Sequence, residues 1–65
     1  MLITYSRKEL DLVIERFNRS IEQDREMYLM SGSKITMERM LNETSRRNMF
    51  IKLLSENPEQ QNFEV

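Results

Sequence analysis

The stretch "YLMSGSKITM", residues 28–37, holds the only glycine of the chain. Glycine enters the left-handed backbone region without a Cβ clash, so it is favoured just past a helix end. A serine directly after it, at position 33, can cap a following helix. The pattern on either side decides whether there are helices to end and to begin.

Upstream, Leu10, Ile14, Phe17, Ile21 and Tyr28 recur at helical spacing, with Val13 and Met27 widening the stripe. Asp24 stands where the missing apolar member of that series should be. Ser6 followed by Glu9 is a capping-box pair and places the helix start at Arg7. Downstream, the expected stripe runs Met37, Met40, Leu41, Thr44, Asn48, Ile51 and Leu54, and should stop ahead of Pro58. The pattern predicts an all-α fold: an antiparallel hairpin of helices over about 7–30 and 34–56. A short extended N-terminus should precede it. Residues 1–57 form one domain, and 58–65 read as a loose polar tail. A turn centred on Gly32 sets Met27 opposite Met37, Ile21 opposite Thr44 and Leu10 opposite Leu54.

Between "ITMERML" and "MFIKLL" lies "NETSRRN", residues 42–48, without one large apolar side chain. In the predicted hairpin it faces residues 18–26, of which only Ile21 is apolar. The waist should therefore be polar and solvated. Arg46 and Arg47 could pair there with Glu22 or Asp24, and Glu43 with Arg47 one turn on.

Sixty-five residues bury too little surface for a lone core to be more than marginal, and disulfides, metals or oligomerisation are the usual remedies. The chain has no cysteine and no histidine, which removes disulfides and the common metal ligands. Neither metal nor cofactor is expected. Self-association is the remaining remedy, and a homodimer of hairpins would make a four-helix bundle. Both apolar ends carry more than one partner helix can cover: "MFIKLL" (49–54) is apolar around most of its circumference. Met27, Met30, Met37 and Met40 gather at the turn end, where unbranched side chains suit an adaptable docking surface. Leu29, Met30, Met40, Phe50 and Leu53 are the expected partner-binding residues.

No glycine-rich phosphate loop is present, and no serine has a recognisable activating base. An enzyme is not expected, and there are no candidate catalytic residues. Ten basic and eleven acidic residues leave a net charge of −1, which gives no general attraction to a polyanion. Arg39, Arg46, Arg47 and Lys52 could still form a modest basic strip. No apolar run is long enough to span a membrane and no signal peptide opens the chain, so a soluble cytoplasmic protein is expected.

The expected function is that of a small non-catalytic regulator acting through protein–protein binding. Inhibitors, anti-repressors and adaptors of bacteria and phages are often of this kind, by fold-level analogy. Two alternatives differ in class. The order of N-terminal strand, helix, glycine turn and helix resembles ribbon-helix-helix transcription regulators, which bind DNA as dimers through paired strands. The ribbon "LITY" carries no basic residue or amide to read bases. "KELDLVIERF" (8–17) resembles the signature helix of the two-helix aspartyl-phosphate phosphatases of sporulation response regulators. That resemblance implies an essential acidic role for Asp11. That family carries its motif on the second helix, and its serine falls at Arg7 of this chain.

Overall fold

A computed structural model describes residues 2–65. Met1, within the extended N-terminus expected from the sequence, lies outside the described residues. Strand β1 (Thr4–Ser6) leads into helix α1 (Arg7–Ser31), then helix α2 (Lys34–Glu56) and strand β2 (Asn62–Glu64). The helices pack against each other as a hairpin within an envelope of 42 × 21 × 16 Å.

The helix ends follow from the residues that mark them. The Ser6 hydroxyl accepts from the Glu9 amide at 3.1 Å, and the Ser6 amide donates to Glu9 Oε1 at 3.0 Å. The hydrogen bond from the Ser6 backbone, and after it one from the Ser6 side chain, hold the Glu9 carboxyl below its ordinary range. Gly32 adopts φ 66°, and its amide donates to the Tyr28 carbonyl at 2.7 Å. A side chain there would be strained by the backbone conformation alone, since nothing stands near the position a Cβ would take. The Ser33 hydroxyl accepts from the Thr36 amide at 3.4 Å. At the far end of α2, the Asn57 side chain donates to the Leu53 carbonyl at 2.9 Å, and Pro58 follows.

The tail is not loose. β2 pairs antiparallel with β1, placing Thr4 opposite Glu64, Tyr5 opposite Phe63 and Ser6 opposite Asn62. Ile3 and Val65 exchange backbone bonds of 2.9 and 3.0 Å, and the Arg7 amide donates to the Gln61 carbonyl at 3.0 Å. A two-stranded ribbon is marginal alone. Here Phe63 anchors it: Phe63 and Leu10 are the two fully buried large side chains. The Arg7 guanidinium lies 5.4 Å from the Phe63 ring centroid, in cation–π range. It also donates to the carbonyls of Gln60 and Asn57. One arginine thus ties the start of α1 to the chain segment leaving α2.

The face of α2 also differs from the expected one. Thr36, Met40, Thr44, Arg47, Phe50 and Leu54 are buried or half-buried, while Met37, Leu41 and Ile51 are exposed. The helix is turned by less than one residue step, roughly 60°, so that Met40, Thr44 and Leu54 belong to both the expected and the observed face. This rotation stacks Phe50 on Phe17, with ring centroids 5.9 Å apart and planes at 27°. An aromatic ring buries more area than Ile51 would and gains ring–ring contact besides. Threonines at 36 and 44 let the helices approach. Met27 and Met37, expected to meet across the hairpin, are both exposed.

Candidate interaction surfaces

Asp24, the charge in the apolar series of α1, is buried at 4% exposure. Arg39 of α2 grips it with both arms: Nε donates to Oδ2 at 3.1 Å and Nη2 to Oδ1 at 2.6 Å. The Arg39 hydrogen bond holds the Asp24 carboxyl below its ordinary value, against the opposing effect of burial. The same bond, with the nearby charges of Asp24 and Glu43, raises the Arg39 pKa. The expected partners of Asp24 were Arg46 and Arg47, and neither takes that role. Arg47 donates instead to Asn18 at 3.1 Å and to Asn48 at 3.2 Å. Glu43 and Arg47 form no ion pair among the described residues. Signals for the true pair were present. Asp24 breaks an apolar series, and Arg39 lies nearly as far beyond Gly32 as Asp24 lies before it.

Beside this pair, one side of the hairpin is hollowed at the waist. The groove has a volume of about 930 Å³ and is lined by Val13, Arg16, Phe17 and Ser20 of α1 and by Asn42, Glu43, Ser45 and Arg46 of α2. A smaller depression of about 400 Å³ shares Val13, Phe17 and Arg46 and runs to Tyr5, Met49 and Val65 at the sheet end. Glu43 Oε2 is cut off from solvent and has no hydrogen-bond partner. Arg16 and Arg46, in the same groove, have no ion-pair or hydrogen-bonding partner among the described side chains. No motif in the sequence marks the groove, whose lining depends on the rotational setting of α2.

The structure separates the expected partner-binding residues. Leu29 and Met30 are open to solvent at 73% and 88%. Ile35 is equally open and extends their cluster at the turn. Met40, Phe50 and Leu53 are half-buried, and Phe50 is committed to Phe17. The expected basic strip is dispersed. Arg39 is bound to Asp24 and Arg46 lies in the groove. Arg47 bonds across the hairpin, and Lys52 stands 3.8 Å from Glu56 one turn along. Asp11 is exposed on α1. Among the described residues, no three metal-capable side chains cluster, and no helix is long and apolar enough to cross a membrane.

Leu29→Ala and Met30→Ala should therefore leave the unfolding free energy from urea titration within about 0.5 kcal/mol of the parent, as exposed substitutions do. Phe50→Ala should cost about 1.5–3 kcal/mol through lost burial and ring contact. Equal losses at Met30 and Phe50 would mean that the turn end is core.

Comparison with protein-family models, with characterised proteins and with solved structures finds no match to this chain. The resemblance of residues 8–17 to the phosphatase signature helix accordingly rests on those residues alone.

Proposed function

We propose that this chain is a small non-catalytic regulator that works by binding another protein, in the manner of an inhibitor, anti-repressor or adaptor, and that it does so as a homodimer in the cytoplasm. The observation that carries this reading is the apolar surface left over once the hairpin is closed. Leu29, Met30 and Ile35 crowd the turn end in water, and Met37, Leu41 and Ile51 line one flank of α2. Large apolar side chains left in water in this number favour contact surfaces on a small protein.

The dimer is supported by area. The accessible surface is 5266 Å², whereas a folded monomer of 7.9 kDa is expected to expose about 4,400 Å². The excess, roughly 850 Å², is close to the ~800 Å² that each partner buries in a standard interface. A core with two fully buried large side chains also gives the chain a reason to pair.

The ribbon-helix-helix alternative draws less support. Its dimer is built by pairing the first strands of two chains, and here β1 is already paired with β2.

Light scattering at tens of micromolar should give twice the chain mass, and a stable monomer would refute the dimer. Affinity capture with intact protein and with Met30→Glu tests the regulator. A partner retained by the parent and lost by the variant is the expected result. Equal retention would remove the turn end from the reading.

A further inference from the structure

The polar waist holds two carboxyl groups, Asp24 and Glu43, and one guanidinium, Arg39, that is bound to Asp24 and lies near Glu43. The Glu43 carboxyl stands beside that of Asp24, and its Oε2 is shut away from water with no hydrogen-bond donor found among the described residues. A buried acceptor of this kind is costly unless something supplies a proton to it. The same groove carries two guanidinia, Arg16 and Arg46, without an acceptor. The groove therefore contains both what it lacks and what it could give.

We propose that two copies of the chain pair groove to groove about a two-fold axis passing between Glu43 and Arg46, with Arg46 of each copy donating to Glu43 of the other. This rests on the homodimer reading above and names its face. Glu43 and Arg46 are separated by three residues, about 4.5 Å along the helix axis. A two-fold axis midway between them lays the two α2 helices antiparallel and sets each Glu43 beside the second copy's Arg46. In such an isologous contact every pair occurs twice. Ser45 and Ser20, both small, line the groove and permit close approach. Val13 and Phe17, with Met49 towards the sheet end, supply apolar contact beside the charges. The missing apolar side chains of "NETSRRN" are then explained: a charged waist fixes the register in which two otherwise greasy rods meet.

The test exploits the symmetry. Glu43→Arg makes both grooves positive, and Arg46→Glu makes both negative. Each variant alone should dimerise on the order of a hundredfold more weakly than the parent, the range expected when a desolvated charge pair is broken. In a mixture of the two variants, every contact joins opposite charges again. The mixture should recover dimer mass in sedimentation equilibrium to within about tenfold of the parent affinity. Circular dichroism checks that each variant is helical. Should Glu43→Arg not fold, the parent protein alone decides the matter. Its dimer must weaken several-fold between 50 and 500 mM salt, because screening acts on the ion pairs.

Variants that dimerise as the parent does, a mixture no better than its components, or a parent dimer indifferent to salt would overturn the proposed face while leaving the dimer standing. A parent that stays monomeric would overturn both.

Discussion

Replacing Phe63 with alanine should leave most of the chain unfolded at room temperature. Phe63 is 1% exposed and, with Leu10, makes up the fully buried apolar core. Truncating a buried phenylalanine costs about 3–5 kcal/mol through lost transfer energy and the cavity left behind. A domain of this length has only about 3–10 kcal/mol in total. The loss also spreads. β2 holds β1 through the Tyr5–Phe63 pair and its neighbours, and the ring faces the Arg7 guanidinium that grips the end of α2. Far-UV circular dichroism under increasing urea should show the midpoint collapsing for Phe63→Ala, and only a modest shift for Phe63→Leu. An alanine variant with the parent midpoint would mean that the C-terminal strand is decoration. Deleting residues 60–65 should reproduce the alanine result, since it removes the same anchor.

The role of Phe63 was hidden by its neighbours. "PEQQNFEV" offers one large aromatic among polar residues, and three strand residues are too few for an alternation to be recognised. The helices were legible because several local signals agreed: Ser6 with Glu9 at one start, Gly32 at the end, Ser33 at the next start and Pro58 beyond the last. Their boundaries came out within a residue, and the register across the hairpin came out close, with Asn18 opposite Arg47 and Phe17 opposite Phe50. The rotation of α2 was not legible. "MFIKLL" is apolar on nearly every side, so periodicity alone could not choose Phe50 over Ile51. That choice depends on what stands opposite, and Phe17 decides it. The interaction surface suffered accordingly. Leu29 and Met30 emerge exposed as expected, whereas Phe50 is part of the hairpin seam, and the waist groove exists only in the rotated packing.

Arg39→Met should destabilise the protein and should reverse its response to acid. In the parent, the folded-state pKa of Asp24 lies below its unfolded value, because of the Arg39 hydrogen bond. Such a group contributes stability that is present above the unfolded carboxylate range and is lost as pH falls through the folded value. The parent should therefore weaken in acid below the ordinary aspartate range. Without Arg39, Asp24 stays buried beside Glu43 with no cation between them. Burial and a like charge both favour the protonated acid, so the folded pKa rises above the unfolded one. Stability is then gained, not lost, as pH falls from 7 towards 5. Urea midpoints at pH 7 and pH 5 should cross over: the parent nearly level between them, the variant weak at 7 and partly rescued at 5. The double variant Asp24→Leu with Arg39→Met supplies the complement. Asp24 is the buried member of the pair and Arg39 is half exposed; removing both spares the buried carboxylate the loss of its cation, which removing Arg39 alone does not. The double variant should sit nearer the parent than Arg39→Met does and show no rescue at pH 5. If Arg39→Met instead behaves as an ordinary surface change at both pH values, the pair is a solvated contact and the waist owes nothing to it.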